Sequence, residues 1–208
     1  MIINKKPKFK KEGFTLIEML VAMAIFSIVM GIITGIFITG IRQQKMALDS
    51  QIVLDQTSYA LEYMSRALRF ASKEKSGGAC LSQDGLNFEI PLGYQIGGNE
   101  DLGTGLRFIN HLQDDDCQEF FLDNNQIKYT REIGKTPPEG KTLLLTSNKL
   151  EVASLKFDLA GKWEGDDDNP DDLQPRITIF LEIKSAGASG QSQKIQTSIS
   201  QRNLDVQY

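Results

Sequence analysis

At 208 residues and 23.2 kDa the chain has room for one ordinary domain with an appendage, but hardly for two full cores. A composition of 40% apolar, 24% charged and 8% aromatic residues, with a mean hydropathy of -0.25, excludes a disordered chain, a collagen and a polytopic membrane protein. The net charge of -4 hides two poles: Lys5, Lys6, Lys8, Lys10 and Lys11 against Glu12 make residues 1–13 formally +4, so the remainder is formally -8. A body this acidic argues against tracking a nucleic-acid backbone, which takes clustered cations, and no nucleic-acid partner is expected.

After that basic stretch, residues 14–41 read FTLIEMLVAMAIFSIVMGIITGIFITGI, in which Glu18 is the one charge. A helix rising about 1.5 Å per residue needs about 20 apolar residues to cross a bilayer core, so this run spans with length to spare. It is too long for the apolar core of a secretory signal, and no A-x-A-like cleavage site follows Ile41. Lys and Arg are retained on the cytoplasmic face, so the basic end stays inside and the C-terminal body lies outside. A plain signal anchor satisfies hydropathy and charge alike, but leaves Glu18 unexplained. A carboxylate in an apolar segment costs on the order of 2.5 to 3.5 kcal/mol unless it is near an interface or paired. An amine freed by cutting between Gly13 and Phe14, on this chain or a neighbour, would supply the partner.

The residues KKEGFTLIEMLVAMAIFS at 10–27 resemble the N-terminal signal of type IV prepilins and type II secretion pseudopilins. The likeness rests on a basic leader (Lys10, Lys11) ending in Gly13, an aromatic Phe14, then Thr15, Leu16 and Glu18, and an unbroken apolar run. The resemblance implies that a membrane peptidase and methyltransferase cuts after Gly13 and N-methylates Phe14. It also implies that the carboxylate of Glu18 pairs with the N-terminal amine of an adjacent subunit and sets axial register. The expected divisions are a cleaved leader at 1–13, a transmembrane and fibre-core helix at 14–41, the soluble half of a spine helix at 42–75, and an extracytoplasmic β-rich domain at 76–208. The implied partners are other pilin or pseudopilin subunits, the prepilin peptidase and an inner-membrane assembly platform. The implied location is the cytoplasmic membrane, single-pass, and then a pilus or pseudopilus.

Beyond Arg42 apolar residues recur at helical spacing, at Leu48, Ile52, Tyr59, Tyr63 and Phe70, beside a second row at Leu61, Met64, Leu68 and Ala71. With no Pro to interrupt it, the helix is predicted to run to about residue 74. Lys73 and Lys75 would complement its dipole, and Gly77 and Gly78 would stop it. The pattern then changes to short strands at 86–90, 106–110, 118–122, 126–131, 142–146, 151–159, 176–184 and 194–201, with a hairpin around Asn124 and Asn125. A spine helix followed by an antiparallel meander is an α+β arrangement that matches the pilin fold. The ending, QPRITIFLEIK followed by KIQTSISQRNL, is similar to the terminal strands of minor pilins of the J and W types.

Cys80 and Cys117 are the two cysteines. Placed outside the cytoplasm, where disulfides persist, they are expected to bond, the alternative being two free buried thiols. Many pilins carry a disulfide near the C-terminus, and this position departs from that. The run GDDDNPDD at 165–172 concentrates hard oxygen ligands suited to Ca²⁺, but its spacing is not that of an EF-hand, and a solvated acidic loop is the commoner reading. Asp114, Asp115 and Asp116 are weighed the same way, and no metal or cofactor is assigned. With His111 as the sole histidine and no nucleophile motif, no catalytic triad can be assembled, and no enzyme is expected. The reading is a minor pilin of a type IV pilus-like fibre. The alternatives are a J-type pseudopilin of type II secretion and a membrane-anchored binding module delivered by a pilin signal.

Overall fold

A computed structural model describes residues 13–75, 80–111, 116–131, 141–162, 173–186 and 192–202. The chain divides into two compact units, Met1–Ala47 and Leu48–Tyr208. The α-helix α1, Leu16–Arg69, supplies the described structure of the first unit after residue 15, and its residues 48–69 belong to the second.

In the first unit the side chains of α1 are exposed. An apolar helix segment that stays exposed among the described residues is suited to being covered by lipid or by other helices. Its hydroxyls are satisfied internally: Ser27 donates to the Met23 carbonyl, Thr34 to that of Met30 and Thr39 to that of Gly35, at 2.8 to 2.9 Å. Back-bonding of this kind removes the cost of placing a hydroxyl where no water can reach it.

The second unit packs residues 48–69 of α1 against two antiparallel sheets. The buried row on the helix is Val53, Thr57, Ala60, Met64 and Ala67, at alternating steps of four and three residues, with Leu68 beside its end. This partly overturns the expected stripe: Met64 and Leu68 face the core, whereas Leu48 and Tyr59 are exposed. The small side chains of Thr57, Ala60 and Ala67 let the sheets approach the helix closely, which apolarity alone does not mark.

One sheet has the order β1 (Ala71–Ser72), β5 (Gly105–Asn110), β6 (Asp116–Asp123), β7 (Gln126–Arg131) and β8 (Thr142–Leu144), with β2 (Phe88–Glu89) also on β5. Its inner face meets the helix through aromatic rings, with Tyr63 5.1 Å from Tyr129 and 6.2 Å from Phe120, which stacks on Phe108 at 5.3 Å. The other sheet has the order β11 (Gln193–Ser200), β10 (Arg176–Ser185), β9 (Leu150–Ala160), β4 (Asn99–Gly103) and β3 (Gln95–Ile96). Along β10 the buried positions are Ile177, Ile179, Leu181 and Ile183, the period-two signature of a strand with one face in the core. In β9 the alternation slips between Val152 and Leu155, where the register with β10 shifts by a bulge. Helix row and both inner faces share one cluster of buried residues.

The helix ends at Arg69, earlier than the expected residue 74, because distant segments claim its last carbonyls. The Arg202 amide donates to Arg69 at 2.9 Å, the His111 amide donates to Phe70 at 3.0 Å, and Ala71 then pairs with Asn110 in β5. Gly77 and Gly78, expected as the stop, lie outside the described residues. The outer face of β5 and β6 is covered in turn by the 3₁₀ turn Leu92–Tyr94: the Tyr94 ring sits over Gly105, where an added Cβ would meet it at 2.5 Å.

Candidate functional site

The site singled out in sequence lies at the start of α1. Residues 13–15 precede the helix, and Leu16 is its first residue. Thr15 and Glu18 lock that start reciprocally. The Glu18 amide donates to Thr15 Oγ1 at 3.3 Å, while Glu18 Oε2 accepts from the Thr15 amide at 2.8 Å and from its hydroxyl at 2.9 Å. This is a capping box, in which the residue before the helix and the third residue within it satisfy each other's orphan donors. The signal T-x-x-E stands at 15–18, and the structure adds the bonds that make Thr15 the partner of Glu18. Both bonds fall on Oε2, and Oε1 makes none to a described residue. The carboxylate is therefore aimed at the amino end of the helix with one oxygen in hand, beside the positive end of the helix dipole.

Gly13 and Phe14 sit just ahead of this cap. A Cβ added at Gly13 would meet nothing within 4 Å, and its backbone is not in the left-handed region. The fold of this chain therefore makes no demand for glycine there. Phe14 is 83% exposed. Both residues are presented outward, as a segment read by another protein must be. Residues 1–12 lie outside the described residues.

The structure joins Cys80 and Cys117 by a disulfide, with Cα atoms 5.4 Å apart. Cys117 is in β6, and Cys80 is held by a buried carboxylate: Glu74 accepts from the Cys80 and Leu81 amides at 3.0 and 3.1 Å. The bridge thus fastens the segment after the helix to the sheet. Among the described residues no group of three His, Cys, Asp or Glu side chains could hold a metal ion. The run GDDDNPDD and Asp114 and Asp115 lie outside the described residues, and Asp116 begins β6.

A second surface escaped the sequence reading. Between α1 and the edge strand β8 lies an open groove of about 510 Å³, lined by Asp55, Gln56, Tyr59 and the residues 144–147. The Gln56 side chain accepts from the Ser147 hydroxyl at 2.7 Å and ties one wall to the other. Nearby, the Arg131 guanidinium donates to the Tyr63 hydroxyl at 2.9 Å and lies 5.3 Å from the centre of the Tyr129 ring. Burial, reinforced by Tyr63, pushes the Tyr129 phenol up to about 12.

The family described as the prokaryotic N-terminal methylation motif matches residues 8–34. No curated protein and no solved structure matches the chain. The motif is the type IV prepilin signal, which supports a precursor of the pilin or pseudopilin kind. That signal implies processing by a prepilin peptidase, anchoring in a membrane and assembly with other pilins, in a family that is structural rather than catalytic.

Proposed function

We propose that this prepilin-signal protein is a minor subunit of a type IV pilus-like fibre, matured by cleavage after Gly13 and N-methylation of Phe14. The working chain then begins at Phe14, spans the cytoplasmic membrane once through residues 14–41, and carries its acidic body outside until it is drawn into the fibre. The observation that carries this reading is the capping box at Thr15 and Glu18. It holds the Glu18 carboxylate at the start of the helix through Oε2, next to the residue whose amine cleavage would free, in an apolar segment where the Ser27, Thr34 and Thr39 hydroxyls are bonded internally. In the apolar interior of an assembly an isolated carboxylate or amine is costly, so pairing the two disfavours wrong axial registers. The minor-subunit assignment draws on the likeness of β10 and β11 to the terminal strands of J- and W-type minor pilins. The same likeness serves a J-type pseudopilin of type II secretion.

Mass spectrometry of the membrane-extracted protein tests the processing: the expected chain starts at methylated Phe14, and an intact Met1 terminus rejects it. Gly13→Leu should block the cut. Glu18→Ala should leave the protein in the membrane while removing it from sheared fibres. A deletion strain that loses protein secretion but keeps its pili would reassign the subunit to a pseudopilus.

A further inference from the structure

The apolar segment of the first unit ends in an abrupt change of chemistry. Ile41 is followed by Arg42, Gln43, Gln44 and Lys45, all exposed and all within α1. Successive residues of an α-helix are turned by about 100°, so these four point around the whole helix rather than along one side. Each carries side-chain N–H donors, and none is a carboxylate. The ring is a belt of donors bearing two positive charges. Among the described residues neither Arg42 nor Lys45 forms an ion pair, so those charges are not spent within the chain. The next residue, Met46, is apolar again and 62% exposed.

The depth of this belt in a bilayer follows from length. With Glu18 kept at the inner interface, where a carboxylate is tolerated, residues 19–41 of α1 remain to cross the hydrocarbon. They make about 35 Å of helix, which a tilt of about 30° fits to a core of about 30 Å. Arg42 to Lys45 then stand in the outer headgroup layer. A protein partner would cover one side of the helix, whereas lipid surrounds it, and a ring of donors suits the second. Two cations at the outer end run against the inward bias of such charges, but Lys5, Lys6, Lys8, Lys10 and Lys11 outnumber them at the inner end.

We infer that Arg42 and Lys45, with Gln43 and Gln44 between them, bind the phosphate groups of anionic phospholipids in the outer leaflet. The inference rests on the proposed single span and maturation. The Arg42 guanidinium offers a phosphate a two-pronged fork, and the Lys45 ammonium offers it a mobile point charge. The two glutamine amides donate to the ester and glycerol oxygens of the same lipids. Cleavage after Gly13 gives the belt its weight. It removes all five leader lysines, and Arg42 and Lys45 are then the only side-chain cations in residues 14–47. Before the cut the chain is tied to lipid charge at both ends of its span. Afterwards it is tied at the outer end alone, because the new amine has Glu18 as its counter-ion.

The test uses the full-length oxidised chain carrying Ile38→Cys, labelled with a bimane fluorophore, in nanodiscs of phosphatidylcholine with a minor share of phosphatidylglycerol. Residue 38 lies about 6 Å below Arg42 along the helix, at the level of the acyl chains. Bromine on the chains of one lipid or the other reports which lipid lies against the label. Molecule for molecule, phosphatidylglycerol should quench about fivefold more strongly than phosphatidylcholine, the attraction expected of a cation beside an anionic surface. Arg42→Gln with Lys45→Gln should abolish the preference. The exchange Arg42→Lys with Lys45→Arg should keep it, which a folding defect would not do. Equal quenching by both lipids in the chain with native residues 42–45, or a preference that survives the double glutamine change, would overturn the site and leave the span standing. A label that neither lipid quenches would reject the span itself. An intact Met1 on the membrane-extracted chain would reject the maturation reading while leaving the lipid contact in place.

Discussion

Removing the bond between Cys80 and Cys117 should destabilise the body by an amount set by the chain it closes. The two cysteines are 37 residues apart. In the chain-entropy description a loop of this length withdraws about 4 kcal/mol of conformational freedom from the unfolded state at 25 °C. For a unit of this size each kcal/mol moves the melting temperature by about 2 to 4 °C, so the reduced protein should melt about 8 to 16 °C lower. Glu74 limits the damage in the native state, because it holds the Cys80 and Leu81 amides whether or not the sulfurs are joined. The assay is thermal unfolding of the detergent-solubilised chain by near-ultraviolet circular dichroism, with and without reductant, beside a Cys80→Ala/Cys117→Ala variant. Thiol labelling after denaturation without reductant should be nil for the oxidised chain. A reduced protein melting within about 2 °C of the oxidised one would refute the loop argument, and label taken up without reductant would refute the bond.

Two further outcomes follow from packing and ionisation. Met64, fully buried in the core row, should cost about 2 to 5 kcal/mol when changed to Ala, whereas Tyr59→Ala on the exposed row should stay within about 0.5 kcal/mol by urea titration. Equal losses would mean that the core row has been misassigned. Stability should also fall as pH rises from about 10 towards about 12. Tyr94 is pushed up to about 12 by burial and then by the charge of Glu119, and Tyr129 is pushed up to about 12 by burial and then by Tyr63. A raised folded-state pKa means that the unfolded chain loses its phenolic protons first, so this contribution is whole below the unfolded value and vanishes through the folded one. For Lys162 burial pulls the pKa down, but its partners Asp101 and Glu100 outweigh burial and raise it, so it acts with the same sign. A urea midpoint that is flat across this window in the wild type would refute the assignment, and Tyr129→Phe should reduce the slope.

How much of this was legible in the sequence depended on whether the determinant was local. The strands β7, β9 and β10 announce themselves by period-two burial, β5 and β6 by short apolar runs with nearly continuous burial, and the hairpin between β6 and β7 by Asn124 and Asn125, both at positive φ. Even the bulge in β9 is written in its broken alternation. By contrast β4, with the sequence NEDLG, has no alternation to read, and it exists because Leu102 and Gly103 pair with β9. The end of α1 is equally non-local. Nothing in the residues after Arg69 forbids further helix, and the decision is made by β5 and by Arg202, far along the chain. The prepilin signal is the opposite case: it is a contiguous linear motif, so its geometry added the partner Thr15 but no new location. The groove was invisible because Tyr59 and Leu144 meet only after the sheet has folded onto the helix.

The polar groups of the apolar segment separate two kinds of requirement. Ser27, Thr34 and Thr39 each spend their hydroxyl proton on the carbonyl one turn back, so they need nothing from outside and suit lipid and protein alike. Glu18 differs in kind, because hydrogen bonds from Thr15 satisfy one oxygen but leave a full negative charge. A capping box can orient that charge, but it cannot neutralise it, and an aqueous or interfacial setting is needed until a cation arrives. The same carboxylate can therefore serve two stages without changing conformation. At the interface it starts the helix, and within an apolar assembly it becomes tolerable only beside an amine. Thr15 holds it at the start of the helix, beside the residue whose amine the proposed cleavage would free.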